Sequence, residues 1–192
     1  YYGVNQEMTK EEFRQHIEDD TVCDYLKKVP IKKGDCFYIK AGTIHAIGAG
    51  SVIAEIQQCS NSTYRVYDFG RLGADGKPRE LHIDKAVDVS CLVPSEKNGD
   101  PEGTIEELDG YTKLLLTDND YFTCERYDVT KSYNGQAGLD SFQALTILNG
   151  EGTITYDDKT LDIKKGDSVF IPAQEGAYQV NGEVSFIKTF VR

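Results

Sequence analysis

The sequence predicts a mainly β protein built from two β units, with a short helical segment in the first unit. Three observations lead to this prediction. From residue 31 onward, apolar and polar side chains alternate with a period of two, which is typical of half-buried strands. Turn signals recur at short intervals between these runs. Two stretches that begin Lys-Lys-Gly-Asp, at Lys32 and Lys164, each lead into a short apolar strand, which indicates two copies of one β unit.

The first element predicted is a helix in "TKEEFRQHIEDD". Thr9 is an N-cap residue and Glu12 follows it at the spacing of a capping box. Phe13 and Ile17 lie four residues apart and give the helix an apolar stripe. The following "TVCDYLKKV" predicts a second short helix, which Pro30 ends.

Strands follow from residue 31 to residue 69, in the stretches "IKKGDCFYIKAG", "GSVIAEIQQCS" and "TYRVYDFG". A helix is predicted next, in "LHIDKAVDVSCL". The stretch "VPSEKNGDPEGT" then combines prolines, glycines and charges, and indicates a boundary. We therefore expect a first domain over 1–93, a linker over 94–103 and a second domain over 104–192.

The second domain is predicted to consist almost entirely of strands. Asn149-Gly150 and Asn181-Gly182 are strong hairpin signals, and each is flanked by alternating apolar residues. The turns "DDK" and "KKGD" separate further short strands. Many short strands at regular spacing favour a β-sandwich or a β-barrel.

Composition excludes several classes of partner. The net charge is −11, so neither nucleic acid nor an anionic membrane is expected as a partner, because both require a basic surface. A small anion remains possible, since a few local cations suffice to bind it. Five cysteines occur without a CxxC pair, which favours a reduced, cytoplasmic protein. The chain opens with "YYGVN", which resembles a strand entered in its middle, so we expect further sequence upstream.

The first Lys-Lys-Gly-Asp stretch contains a recognisable motif. The second motif of the cupin family reads Gly, five residues, Pro, any residue, Gly, two residues, His. Residues 34–45 match it and end at His45, with Lys40 in place of the proline. The second stretch has Gln174 and Ala177 where the motif has glycine and histidine. The resemblance implies a double cupin, that is two jelly-roll β-barrels, of which the first holds a metal ligand and the second holds none.

The resemblance becomes narrower further along the chain. The segments "EIQQCSNSTYRVYDFGR" and "RELHIDKAVDV" look like those of the shorter bacterial type I mannose-6-phosphate isomerases. This family implies interconversion of mannose 6-phosphate and fructose 6-phosphate through an enediolate. It also implies a zinc ion that acts as a Lewis acid and template, with His45 as one ligand. A histidine and a glutamate upstream of Tyr1 would be the other ligands, so we expect residues 1–192 alone to be inactive and to bind zinc weakly.

The same resemblance assigns two catalytic candidates. Arg65 lies twenty residues after His45, as the family's active-site arginine does, and its permanent charge would stabilise the enediolate oxygen. Glu55 interrupts an apolar run, where a carboxylate marks either a solvated edge or a polar cavity. We expect Glu55 to act as the proton-shuttling base or as a contact to a sugar hydroxyl.

Other residues are weaker candidates for substrate binding. Lys40, Arg71 and Arg79 are cations that either contact the phosphate group or are simply solvated. Tyr64 and Asp68 flank Arg65 in the sequence and are expected to orient it or to line the substrate site.

Two further functions remain open. A non-catalytic cupin that binds or senses sugar phosphates would keep the scaffold and lose the chemistry, because fold alone does not fix function. Another cupin enzyme, such as an oxygenase or a sugar epimerase, is a weaker alternative, and the "TYRVYD" segment argues against it. The expected partner in the leading reading is a small phosphorylated sugar, and the sequence does not indicate an oligomeric state.

Overall fold

A computed structural model describes residues 1–96 and 99–191. The chain divides into two compact units. The first unit comprises Tyr1–Val52 and Cys59–Asp100, and the second comprises Ile53–Gln58 and Pro101–Arg192. The segment Ile53–Gln58, which the sequence analysis placed within the first domain, therefore groups with the second unit.

Two helices form in the first unit, both where the sequence predicts them. Helix α1 spans Lys10–Glu18 and helix α2 spans Ile83–Val89. The predicted capping box is present, because the Glu12 backbone N–H donates to Thr9 Oγ1 (3.1 Å) while the Glu12 carboxylate accepts from the Thr9 backbone N–H (2.8 Å). The second short helix is reduced to a single 3-10 turn over Val22–Asp24.

The core of the first unit lies between the helices and the amino-terminal segment. The apolar stripe of α1 is buried, as predicted. The buried residues of this core, the stripe included, are Val4, Met8, Phe13, Ile17, Val22, Leu26, Val87 and Leu92. The amino-terminal segment lies between two neighbours, since Val4 bridges to Leu26 and Tyr2 bridges to His45.

The strands predicted from residue 31 to residue 69 are wrong, because the described backbone there forms only isolated bridges. From residue 47 to residue 64 the described residues make no backbone–backbone hydrogen bond. A strand exists only where a neighbouring backbone accepts and donates its hydrogen bonds. Val52 is fully exposed, and Ile47 is exposed by 59%. The alternating pattern is therefore present in the sequence, but no partner strand accompanies it among the described residues.

The second unit is one antiparallel sheet of eight strands. The strands are β1 (Glu106–Leu108), β2 (Tyr111–Asp118), β3 (Thr123–Val129), β4 (Ser132–Ala137), β5 (Gln143–Tyr156), β6 (Lys159–Lys164), β7 (Ser168–Ile171) and β8 (Gly176–Phe190). The main path of the sheet is β1-β2-β3-β8-β5-β6, while β4 pairs with β8 and β7 pairs with β5. The two long strands β5 and β8 therefore connect all the others.

The predicted hairpins at Asn149-Gly150 and Asn181-Gly182 are wrong, because β5 and β8 run straight through these dipeptides. At Gly150 the left-handed φ of +77° accompanies a bulge in β5, so the glycine bends the strand instead of reversing it. Gly152 lies opposite Gly182 where β5 and β8 approach closely. A Cβ at Gly152 would lie 2.1 Å from the Asn181 carbonyl oxygen, so only glycine fits there.

The two Lys-Lys-Gly-Asp turns adopt the same local structure. The glycine of each turn has a left-handed φ, +96° in the first copy and +94° in the second. The aspartate carboxylate accepts from the lysine backbone N–H in both, at 2.9 Å between Lys32 and Asp35 and at 2.8 Å between Lys164 and Asp167. The repeat seen in the sequence is thus a repeated turn. A strand, β7, follows it only in the second copy.

The core of the second unit is formed by inward-facing residues of β3, β4, β5 and β8, among them Leu145, Ile147, Val180 and Phe186. All five cysteines of the chain are free. Among the described residues, no helix has the length and apolarity needed to cross a membrane.

Candidate active site

His45 follows a tight turn that only glycine allows. Gly42 has a φ of +85°, and a Cβ there would lie 2.5 Å from the Val89 carbonyl oxygen. The Gly42 carbonyl accepts from the Cys91 backbone N–H (2.8 Å), which ties the turn to the segment after α2. The backbone of His45 then bridges to Tyr2. Both sides of the histidine are therefore fixed by backbone contacts.

The imidazole of His45 is exposed and has a defined tautomer. Its Nδ1 atom lies 2.9 Å from the Thr43 carbonyl oxygen. Because a carbonyl only accepts, Nδ1 must carry the proton, which leaves the lone pair on Nε2. A carbonyl on one ring nitrogen is the usual partner of a histidine that binds a metal through the other nitrogen.

The described residues do not by themselves fit a catalytic zinc. Such a site takes three protein ligands as a rule. No group of three or more His, Cys, Asp or Glu residues able to hold a metal ion occurs in 1–96 and 99–191. His45 therefore supplies one donor, and a zinc ion would need further donors from elsewhere.

Arg65 lies on an irregular hairpin that runs from Arg65 to His82, which we call the arginine hairpin. Its two ends are joined by paired hydrogen bonds: the Arg65 backbone N–H donates to His82 Nδ1 (3.0 Å), and the His82 backbone N–H donates to the Arg65 carbonyl (2.8 Å). The Arg65 side chain is half-buried, and its Nη1 donates to the Glu80 carbonyl at 2.9 Å. The guanidinium is thus held while its other N–H groups stay available.

Asp68 is buried in the same hairpin and binds two arginines. Its Oδ2 accepts from Arg79 Nε (2.6 Å), and its Oδ1 accepts from Arg79 Nη2 and from Arg71 Nη2, the latter at 2.9 Å. The Arg79 guanidinium, with a smaller contribution from Arg71, lowers the pKa of Asp68 from 3.8 to about 2. The sequence predicts Asp68 beside Arg65, but the structure pairs it with Arg71 and Arg79.

The remaining candidates lie on exposed segments. Lys40 is exposed, and its carbonyl accepts from the Thr43 backbone N–H (3.0 Å), which closes the turn before His45. Tyr64 is 42% exposed, with the Lys85 ammonium 5.8 Å from its ring centre. Glu55 is exposed within the segment that groups with the second unit. The structure therefore gathers Arg65, Asp68 and their neighbours in one hairpin and leaves His45 and Glu55 on other segments.

The second unit contains a buried polar cluster that the sequence analysis missed, which we call the Lys188 cluster. Lys188 Nζ lies 3.0 Å from Glu125 Oε2 and donates to the hydroxyls of Tyr127 (2.9 Å) and Tyr133 (3.2 Å). Lys113 Nζ lies 2.7 Å from the other Glu125 oxygen. Burial would raise the pKa of Glu125, but the two ammonium groups outweigh it and the pKa is lowered overall. The sequence does contain a signal for this cluster. Along strands in which side chains alternate between inward and outward positions, Glu125, Tyr127 and Lys188 fall at inward positions.

A family model and two curated relatives that match the sequence all carry the name mannose-6-phosphate isomerase. Residues 112–191 match the family described as "Mannose-6-phosphate isomerase, cupin domain". A putative mannose-6-phosphate isomerase of Bacillus subtilis, YvyI, is 37% identical over 169 residues, which are 86% of this chain and 52% of that protein. The mannose-6-phosphate isomerase of Streptococcus mutans is 34% identical over 186 residues, which are 97% of this chain and 57% of that protein. The chain therefore spans about half the length of the curated relatives that it matches.

The same similarity appears in three dimensions. A crystal structure of mannose 6-phosphate isomerase from Bacillus subtilis matches with a TM-score of 0.88 at 33% identity, over 98% of this chain and 59% of that chain. The structure that matches is mainly antiparallel β, as the sequence predicted, with helices α1 and α2. From the motifs, the matched cupin domain and this structural similarity, we conclude that the chain resembles the mannose-6-phosphate isomerases over nearly its whole length, and that residues 112–191 match the cupin domain of that family.

Proposed function

We propose that the protein is an aldose–ketose isomerase that interconverts mannose 6-phosphate and fructose 6-phosphate. One observation carries the proposal: nearly the whole chain resembles proteins named mannose-6-phosphate isomerase in sequence, and one of them in structure. The five free thiols support a cytoplasmic location for such an enzyme.

In the proposed reaction a base removes the proton from C2 of the aldose, and the carbonyl oxygen at C1 gains negative charge as the enediolate forms. The same proton is returned to C1, while a hydroxyl proton moves from O2 to O1. Arg65 would face the developing negative charge. Its support is the hairpin, which fixes the backbone through His82 and the side chain through the Glu80 carbonyl. A prepositioned cation costs no reorganisation when the charge appears.

Glu55 is proposed as the base that moves the proton. Its support is its place in the sequence between His45 and Arg65. Zinc dependence is proposed as well, with His45 Nε2 as one ligand, because the Thr43 carbonyl holds the ring in the tautomer that a metal needs. The described residues contain no three-donor group, so the site would be completed by donors outside them.

We also propose that the chain has the organisation of a double cupin. The two Lys-Lys-Gly-Asp turns share the same left-handed glycine and the same aspartate hydrogen bond. This local identity supports descent of both halves from one unit, of which the first provides the candidate site residues.

A non-catalytic cupin that binds sugar phosphates is the second candidate. The observation that favours it is the lack of a three-donor metal group in 1–96 and 99–191. The two candidates differ in turnover: an isomerase converts mannose 6-phosphate, whereas a binding protein retains the sugar phosphate unchanged.

The experiment is a coupled assay for fructose 6-phosphate with the protein at its natural length, with and without a chelator. We expect activity that the chelator abolishes. Arg65→Ala is expected to lower kcat about 10²- to 10³-fold, the usual loss when one charge-stabilising donor is removed, while the zinc content stays unchanged. Arg14→Ala is the matched control, because Arg14 is another partly exposed arginine of the first unit, paired on the helices with Asp84. Normal turnover by the Arg65 variant would remove Arg65 from the mechanism.

A further inference from the structure

The arginine hairpin contains more positive charge than the proposed chemistry uses. We propose that Arg71, with Asp68 and Arg79 behind it, is the anchor for the phosphate group of the substrate. This inference rests on the proposed function, because it names the part of the same site that would recognise a phosphate monoester.

The charges in the hairpin do not cancel. Two guanidinium groups share the single carboxylate of Asp68, which leaves one positive charge in excess. The other charged residues of the hairpin balance one another in number, with Arg65 and Lys77 against Asp75 and Glu80. The chain as a whole has a charge of −11, so this cationic spot stands out from an acidic protein.

The two arginines differ in how far they are committed to Asp68. Arg79 is bound through two nitrogens, Nε and Nη2, to both carboxylate oxygens. Arg71 donates through Nη2 alone, and its side chain is 65% exposed. Within the described residues no other hydrogen bond engages the Arg71 guanidinium, so its remaining N–H groups face solvent. Arg79 therefore has a structural role, and Arg71 is the group that presents donors.

The backbone fixes the position of Arg71. Its N–H donates to the Asp68 carbonyl (3.0 Å), which closes a tight turn. Within that turn Phe69 and Gly70 have left-handed φ values of +53° and +66°, and for a bulky residue such as Phe69 this conformation is unfavourable. The Phe69 ring packs edge-on against Tyr67 at 5.0 Å between centroids, which holds it there. Strained residues of this kind cluster at ligand clamps.

The chemistry of the site selects a phosphate. The guanidinium presents paired N–H groups that match two oxygens of one phosphate, and such charge-assisted contacts are among the strongest hydrogen bonds. A polyanion such as nucleic acid is disfavoured, because the surrounding acidic protein would repel it. A small phosphate monoester is short enough to contact the Arg71 guanidinium alone, so the acidic surface farther away repels it less than it repels a polyanion.

The test compares Arg71→Gln with Arg71→Lys in the protein at its natural length. Arg71→Gln leaves the bidentate Arg79–Asp68 pair intact, so the hairpin keeps its buried carboxylate paired. Inorganic phosphate and fructose 6-phosphate are titrated calorimetrically, and KM and kcat are measured for mannose 6-phosphate. We expect Arg71→Gln to weaken both ligands and to raise KM about 10- to 100-fold, with kcat changed less than KM. Arg71→Lys is expected to recover part of the loss, because it restores charge without the paired donors.

Arg14→Gln is the matched control, since it removes one arginine charge of the first unit that is paired on the helices with Asp84 and not with Asp68. Equal weakening by this control would overturn the proposal, because net charge alone would then explain the effect. Unchanged phosphate affinity and KM in Arg71→Gln would also overturn it. As a measurement on the wild type, modification of Arg71 by phenylglyoxal is expected to slow when inorganic phosphate is present. Equal modification with and without phosphate contradicts the proposal even if the variants do not fold.

The outcomes separate this inference from the isomerase proposal. A wild-type protein without turnover that binds phosphate through Arg71 supports the anchor and overturns the isomerase activity. An active enzyme whose KM is indifferent to Arg71 supports the activity and overturns the anchor.

Discussion

Single residues at the candidate site are fixed mainly by backbone groups. The Thr43 carbonyl sets the tautomer of His45, and the Glu80 carbonyl holds the guanidinium of Arg65. Carbonyl oxygens do not ionise, so the acceptor in each of these two contacts carries no titratable charge. Asp68 differs, because its partners are charged and its effect on stability depends on its own ionisation.

Asp68→Asn is expected to destabilise the protein at neutral pH, with a loss that disappears in acid. The Arg79 and Arg71 guanidinium groups lower the folded pKa of Asp68 from 3.8 to about 2. A carboxyl with a lowered folded pKa stabilises the native state above its unfolded pKa, and this contribution is lost as the pH falls through the folded value. The difference in unfolding free energy between wild type and variant should be constant above about pH 5 and shrink between pH 3.8 and about 2.

Urea unfolding at a series of pH values measures this difference. Asp88→Asn is the control, because Asp88 is an exposed carboxylate of the same unit that pairs with Lys10, and surface pairs contribute little. If the difference in unfolding free energy between wild type and variant were independent of pH down to pH 2, the contacts with arginine would not be what keeps Asp68 ionised.

At the scale of elements, the sheet of the second unit places charged side chains inside. On β3 and β8, Glu125 and Lys188 are cross-strand partners, so the register of the two strands brings the carboxylate and the ammonium together. The three donors of the ammonium are matched by one carboxylate oxygen and two tyrosine hydroxyls. A buried ionic group with every donor satisfied is tolerated in a core, whereas one that loses a partner is costly.

Lys188→Met is therefore expected to destabilise the second unit by about 1–3 kcal/mol, the usual cost of removing a buried hydrogen-bond partner, because Lys113 still pairs with Glu125. Methionine keeps most of the side-chain volume, so the loss reflects charge and hydrogen bonds more than a cavity. Urea unfolding followed by circular dichroism measures it. The control is Lys159→Met on β6, where the lysine is exposed. Equal effects of the two substitutions would mean that the Lys188 cluster contributes nothing specific.

At the scale of the whole molecule, no group of three or more His, Cys, Asp or Glu residues able to hold a metal ion occurs in 1–96 and 99–191. The candidate cations are in the first unit, as is His45, whose Nδ1 lies against the Thr43 carbonyl. The curated relatives are about twice as long as the region that matches them.

We therefore expect the chain of 192 residues, expressed by itself, to bind zinc weakly and to show no measurable isomerisation of mannose 6-phosphate. The physical reason is that a single neutral imidazole lacks the chelate effect of a three-ligand site. Metal analysis after dialysis and the coupled assay test this expectation. Stoichiometric zinc that survives dialysis would contradict it, and His45→Ala would then show whether His45 binds that metal.

Part of the fold was predictable from local sequence, because local contacts produce it. The capping box and the Phe13–Ile17 stripe predicted α1, and the Lys-Lys-Gly-Asp letters predicted two equal turns. Other predictions failed where the outcome depends on distant residues. Each Asn-Gly dipeptide contains the left-handed glycine that a hairpin requires. In the folded sheet, however, Gly150 lies next to a bulge in β5, and Gly182 lies where β5 and β8 approach closely.

The same distinction holds for the candidate site. The sequence by itself determined the resemblance to mannose-6-phosphate isomerases, the motif that ends at His45, and the choice of Arg65 as a candidate, because these depend on residue type and spacing. Only the tertiary structure decided that Asp68 binds Arg71 and Arg79, and that a lysine lies inside the sheet of the second unit. The reason is physical: a charged side chain chooses its partner by distance and burial, and neither is determined until the chain has folded.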